Sequence, residues 1–244
     1  MILFIDSGNT RTKWRLADSS GKFREGFVCG SESDFLSVLL PYSADISRVA
    51  VSMVGSDQAE AALRKAIKAV TDAPVQFYWA EKQRFGLVNS YRQVSAMGAD
   101  RWHAMVGAWS DFQSGFAVVD AGSAVTVDYV RHDGSHLGGY ILPGLMMMRR
   151  SLKMDAARIG FEYDDELNTM PGQNTSECTN HGLAWLSSAF IERVHKDCES
   201  YDLGKLLVTG GDADRLLSLG LDAEHRSGLV FEGLERIDGA RIDR

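Results

Sequence analysis

Residues 2–5 form an unbroken apolar run that stops at Asp6. A small polar turn follows at 7–10, and residues 11–16 then alternate charged with less polar side chains. A short apolar run closed by a turn predicts a buried strand. The alternation predicts a second strand carrying Arg11, Lys13 and Arg15 on one face. Further on, the periodicity predicts a strand at 22–28, a helix at 31–40, a strand at 48–54, a helix at 56–70 and a strand at 75–79.

The opening pattern then returns. Residues 117–130 read AVVDAGSAVTVDYV, again an apolar strand that ends in Asp, a glycine turn and a second strand. Asp6-x-Gly8 and Asp120-x-Gly122 lie 114 positions apart in a chain of 244 residues. After the second copy the pattern predicts a strand at 136–142, helices at 145–157 and 175–198, a strand at 205–209 and a helix at 212–219. Internal similarity at half the chain length implies two related halves. The expected domains are 1–114, holding the first hairpin, and 115–244, holding the second. Strands alternating with helices place both in the α/β class, each with a mixed sheet flanked by helices.

Composition adds exclusions. The net charge of −7 argues against a general nucleic-acid or anionic-membrane surface. The three cysteines (Cys29, Cys178, Cys198) are far apart, so free thiols in a reducing cytoplasm are expected. The N-terminal apolar run is too short for a signal peptide or a membrane span. A cytoplasmic protein follows.

One Asp-x-Gly turn is weak evidence, since glycine after a strand is usually only a turn residue. Two copies at the mouths of buried strands say more. A carboxylate there can hold a divalent cation, and glycine lets backbone N–H groups approach phosphate oxygens. No G-x-x-x-x-G-K-[ST] or G-x-G-x-x-G occurs, so neither the P-loop nor the dinucleotide fingerprint applies.

Paired Asp-x-Gly hairpins in duplicated halves resemble the actin/hexokinase/Hsp70 superfamily, whose fold is a pair of actin-like (ribonuclease H-like) domains with ATP in the cleft between them. The ordered set DSGNTRTK (6–13), GADR (98–101), DAGSAVTVD (120–128), GGYILPG (138–144) and TGGDA (209–213) resembles type III pantothenate kinase over essentially the whole chain. That resemblance implies ATP-dependent phosphorylation of pantothenate to 4'-phosphopantothenate, the first step of coenzyme A biosynthesis. It also implies Mg²⁺ with the ATP, a monovalent cation (K⁺ or NH₄⁺) and a homodimer.

The resemblance also assigns residues. Asp6, Ser7, Gly8, Asn9, Thr10, Arg11, Thr12 and Lys13 would meet ATP, with Asp6 toward Mg²⁺ and Lys13 toward developing negative charge. Asp100 would be the general base. Arg101, Gly98, Ala99 and Tyr91 would contact pantothenate, with Thr175 a second contact. Asp120 would hold the monovalent cation, and Ser123, where the family usually has Thr, would reach a phosphate. Gly210 and Gly211 would let the chain pass close to the adenine.

Plainer readings stand beside these. Arg11 and Arg15 read as a solvated strand face, Asp100 as a helix-start carboxylate, and Thr175 as an N-cap. Met146, Met147 and Met148 read as helix core. Arg149, Arg150 and Lys153 read as a solvated or subunit-facing surface. His132 and His136 flank a hairpin turn, with a metal site only a minor alternative. The alternative functions are another small-molecule kinase of the superfamily, or a non-catalytic accessory factor for transcription.

Overall fold

A computed structural model describes residues 1–8, 10–28, 32–155 and 160–242. Expectations for Asn9, for the helix start at Ser31 and for residues 156–157 fall outside the described residues. The chain divides into two compact units, Met1–Asp111 with Gly228–Arg244, and Phe112–Ser227.

The first unit opens with β1 (Ile2–Ser7), β2 (Thr12–Ala17) and β3 (Phe23–Val28). These are followed by α1 (Glu32–Leu39), β4 (Arg48–Met53), α2 (Asp57–Val70) and β5 (Val75–Tyr78). The sheet order is β3-β2-β1-β4-β5, antiparallel through the hairpins and parallel from β1 to β4 to β5. Residues 2–5 read as one apolar run because β1 is covered on both faces. Leu3 and Ile5 face a core with Trp14, Val51 and Ile67, whereas Phe4 faces the opposite side. Ser56 caps α2, its hydroxyl accepting from Ala59 N–H at 3.3 Å. A ribbon of β6 (Gln83–Arg84) and β7 (Leu87–Val88) leads to α3 (Ala99–Phe112).

In the second unit β8 (Phe116–Ala121), β9 (Ala124–Val130) and β10 (His136–Pro143) precede α4 (Leu145–Asp155), α5 (Thr175–Ser200), β11 (Lys205–Thr209), α6 (Ala213–Ser218) and β12 (Glu224–His225). Its sheet order, β10-β9-β8-β11-β12, repeats the first one strand for strand, with the same antiparallel and parallel pairings. Its core joins Val119, Val127 and Val208 to Ile191 and Val194 of α5.

The final helix, α7 (Leu229–Ile242), returns to the first unit. The sequence pattern places 115–244 in the second half. Phe231 and Leu234 instead pack with Phe4 and Ala50 on the first sheet. Asp238 pairs with Arg48 and accepts from the Tyr78 hydroxyl at 2.8 Å. Two glycines allow α7 to cross α3 closely. A Cβ on Gly107 would lie 2.7 Å from the Leu229 carbonyl oxygen, and one on Gly233 would strike the His103 carbonyl.

Three expectations about burial are corrected. Arg15 is buried rather than solvated: its guanidinium pairs with Glu25 and Glu235 and stacks between Phe23 and Phe231. Arg149 is also buried, Nη2 donating to the Asp164 carbonyl at 2.6 Å and Nη1 to Asp165 at 3.3 Å. Met146 and Met147 are exposed, so they do not fill a core, and Met148 is half-buried. Among the described residues, no helix is long and apolar enough to cross a membrane.

Candidate active site

The first hairpin brings its residues together through strand register. Asp6 lies opposite Lys13 across the antiparallel ladder, beside Ser52 across the parallel one. Lys13 Nζ stands 4.0 Å from Asp6 Oδ2, at the outer limit of an ion pair. The Ser7 and Thr12 hydroxyls are 3.3 Å apart. Gly8 N–H closes the turn on the Arg11 carbonyl at 3.1 Å, and Val54 N–H donates to the Ser7 carbonyl. Asp6 and Ser7 are buried, whereas Gly8, Thr10 and Arg11 are exposed. A buried carboxylate therefore sits at the root of an exposed loop. One such carboxylate suits Mg²⁺, which commonly takes one or two protein carboxylates and completes its shell with phosphate oxygens and water. Among the described residues, no group of three or more His, Cys, Asp or Glu could hold a metal ion. His136 is instead buried against Asp128, Nε2 to Oδ1 at 3.0 Å.

The second cluster forms where α3 begins. Asp100 Oδ1 accepts from Arg101 N–H at 2.8 Å, so the carboxylate does satisfy the helix start. Gly98 makes room for it: a Cβ there would lie 2.5 Å from that oxygen. Arg101 is buried, with Nη1 donating to the Tyr91 hydroxyl at 2.7 Å and the guanidinium 5.6 Å from the ring centroid. Tyr91 is itself placed by Asn89, a fully buried residue whose Oδ1 accepts from Tyr91 N–H at 2.9 Å. Asn89 Nδ2 donates to the Glu81 carbonyl at 3.2 Å and toward Met97 sulfur at 3.1 Å. Asn89 therefore shapes the loop that presents Tyr91. Asp100, Arg101 and Tyr91 thus stand together as a carboxylate, a guanidinium and a phenol around a helix N-terminus, which favours negative charge.

In the second unit two loops press on the second hairpin. Gly144 N–H donates to the Ser123 carbonyl at 3.2 Å, and a Cβ on Gly144 would lie 2.6 Å from the Gly122 carbonyl oxygen. Gly210 has φ +95°, and a Cβ there would lie 2.5 Å from Asp120 Oδ1. Asp212 N–H donates to the Ala121 carbonyl at 2.8 Å. Burial pushes the Asp212 carboxyl up, opposed by the nearby Arg215 and Arg149. Thr175 is exposed at the first turn of α5, and the cap is Asn174, whose Oδ1 accepts from Glu177 N–H at 3.0 Å. Thr175 belongs to the second unit, Asp100 and Tyr91 to the first.

A family model described as type III pantothenate kinase matches residues 2–197. A type III pantothenate kinase of Marinobacter nauticus is 55% identical over 242 residues, covering 99% of this chain and all of that one. The chain belongs to the type III pantothenate kinase family. A second member, from Cellvibrio japonicus, is 33% identical with 96% of each chain covered. Two solved structures show the fold alone. One is a Baf-family protein of Campylobacter jejuni described as a transcriptional activator, at TM-score 0.64 and 20% identity over 99% of this chain and all of that one. The other, from Sinorhizobium meliloti and assigned as a 2-dehydro-3-deoxygalactonokinase, has TM-score 0.58 and 14% identity over 99% of each chain.

Proposed function

We propose that the protein transfers the γ-phosphoryl group of ATP to the primary hydroxyl of pantothenate, giving 4'-phosphopantothenate and ADP for coenzyme A synthesis. The observation that carries this reading is the Asp100–Arg101–Tyr91 cluster, which lies within the segment matched by the family model.

Phosphoryl transfer asks a protein mainly for positioning and charge stabilisation. The hydroxyl oxygen bonds to the γ-phosphorus as the bond to the β,γ-bridging oxygen breaks, and Asp100 takes the hydroxyl proton. Arg101 and Tyr91 hold the acceptor, Arg101 as a buried cation suited to a carboxylate. Gly98 and Ala99 complete that set. The first hairpin, 6–13, holds the phosphates, with Lys13 drawn to the charge that spreads over them. Asp6 would hold Mg²⁺, which neutralises phosphate charge when bound. Asp120 would hold a monovalent cation beside Ser123.

A homodimer is part of the proposal. Tyr140, Ile141, Met146, Met147, Met154 and Trp185 are exposed apolar residues of the second unit, and Trp185 is 62% exposed. So many large apolar side chains on a single unit suit a subunit interface. Cys178 and Cys198 are free thiols, in keeping with a cytoplasmic enzyme.

A coupled ADP-release assay with pantothenate, glucose and acetate in parallel, each in potassium, ammonium and sodium buffers, tests the reading. Turnover with pantothenate alone supports it. Turnover only with glucose or acetate, or none in any buffer, overturns it. Light scattering after size exclusion tests the dimer.

A further inference from the structure

The buried polar pair formed by His103 and Ser52 has no part in the chemistry above. His103 lies on α3 one helical turn beyond Asp100, on the same face. Neither residue has any exposed surface. His103 Nδ1 stands 2.7 Å from Ser52 Oγ, and its Nε2 has no hydrogen-bond partner among the described residues. Ser52 is the residue of β4 directly beside Asp6 in the parallel ladder. One hydrogen bond therefore links the helix that carries Asp100 to the strand that flanks Asp6. On the other side of α3 the His103 carbonyl lies directly against Gly233 of α7. The helix is held between a polar tie and a close crossing.

The chemistry of the pair is unfavourable as a stability device. A buried imidazole with an orphaned nitrogen carries a desolvation cost that a leucine of similar bulk would not. Burial pushes the ring down to about pKa 3, so it is neutral and offers one donor and one acceptor. Apolar packing permits a helix to slide by fractions of an ångström, whereas a directional hydrogen bond fixes register along the strand.

Resting on the phosphoryl-transfer reading above, we propose that His103 is a positioning residue: its hydrogen bond to Ser52 sets α3 against β4, and so sets Asp100 relative to the phosphate-binding hairpin at Asp6. The bond contributes to turnover through geometry, without His103 touching substrate.

Four variants test this: H103L, H103N, S52A and the S52A/H103L double. The Asn side-chain amide can stand where Nδ1 stands, so it can keep the bond to Ser52. Small misplacements of reacting groups are costly, so kcat should fall about tenfold in H103L and in S52A. The KM values for pantothenate and ATP should stay within about twofold, because the groups that bind them are untouched. H103N should recover to within about threefold of the parent. The double variant should be no worse than the poorer single, since both remove one bond. Amide hydrogen exchange gives a readout independent of substrate: the first two turns of α3 should exchange faster in H103L and S52A and at the parental rate in H103N. A kcat within twofold of the parent in both singles, multiplicative losses in the double, or identical exchange in all variants would overturn the inference. A parent that fails to phosphorylate pantothenate refutes the functional reading instead, and the exchange comparison then still decides the structural claim.

Discussion

Gly98→Ala is a one-methyl change whose consequence follows from the geometry at the start of α3. The added Cβ would lie 2.5 Å from Asp100 Oδ1 and 3.2 Å from Val54 Cγ1. The φ of Gly98 lies outside the left-handed region, so alanine is not strained there and the cost is purely steric. Ordinary contact begins near 3.4 Å, so the carboxylate oxygen must retreat by roughly 0.9 Å. That movement breaks the 2.8 Å bond from Arg101 N–H. Losing one such bond costs about 1 kcal/mol, which for a chain of this size lowers Tm by about 2–4 °C. The kinetic effect is larger, because a misplacement of about 1 Å can cost about 10²-fold. Steady-state assays at saturating ATP should show kcat lower by about 10- to 100-fold. The pantothenate KM should stay within about threefold, since the Arg101–Tyr91 pair is not touched. Asp100→Asn removes the base outright and should cost about 10²-fold or more, with Tm close to the parent's. Gly98→Ala in the Asp100→Asn background should then add little. A Gly98→Ala enzyme within twofold of parental kcat, or a full additional loss in the Asn background, would refute the idea that glycine here makes room for a catalytic carboxylate.

Arg101→Ala should raise the pantothenate KM by more than about tenfold with a smaller change in kcat, and Tyr91→Phe should raise it by less, because it removes only one partner of the guanidinium; steady-state kinetics separate the two. Asp120→Asn should raise the potassium or ammonium concentration needed for half-maximal rate without lowering Tm by more than a few degrees, and equal parental rates in sodium and potassium would remove Asp120 from that role. Buried His103 should make stability pH-dependent: its pKa is held down to about 3 while the unfolded chain takes the proton near 6.5, so stability is lost as pH falls. Urea unfolding should show about 2 kcal/mol lost between pH 7 and pH 5 in the parent beyond any loss in H103N.

Most of the sheet framework was legible in the sequence, because each strand of the two hairpins keeps its period and each turn carries glycine. The elements that escaped did so for physical reasons. The β6–β7 ribbon has two residues per strand, too few for any period, and its turn is made by Phe85 and Gly86 at φ 51° and 89°. The segment that forms α7 carries Gly233 and Gly239, poor helix formers in isolation. The first of them is there for the crossing with α3, a contact between residues more than 100 positions apart. Arg15 shows the same limit. Its alternation with Trp14 and Leu16 predicts an exposed cation, but Glu25 and Glu235 arrive from other elements to meet it. Met146 and Met147 fail in the opposite sense, since an apolar helical stretch looks the same in sequence whether it faces a core or remains on the surface. For the candidate site, the repeated Asp-x-Gly pattern singles out Asp6 and Asp120, and the family resemblance singles out Asp100. Neither could reveal Ser52 and His103, whose pairing depends on how α3 lies on β4.

The duplication explains why two carboxylates in the same backbone position can carry different loads. Asp6 and Asp120 are each the next-to-last residue of the first strand of their sheet, and each has a buried hydroxyl residue beside it on the parallel neighbour, Ser52 or Thr209. They differ across the antiparallel ladder, where Asp6 meets Lys13 and Asp120 meets Thr126. A carboxylate with an ammonium 4.0 Å away already has part of its charge balanced, and both charges can be shared with an incoming Mg²⁺-phosphate group. Asp120 instead faces a neutral threonine across its ladder. The crowding of Asp120 by Gly210 and the tie of the hairpin tip to Gly144 also narrow the space around it, which suits a single small ion better than a chelated nucleotide. The same register thus underlies both the proposed phosphate role of the first copy and the proposed cation role of the second, and the residue opposite each aspartate is what differs between them.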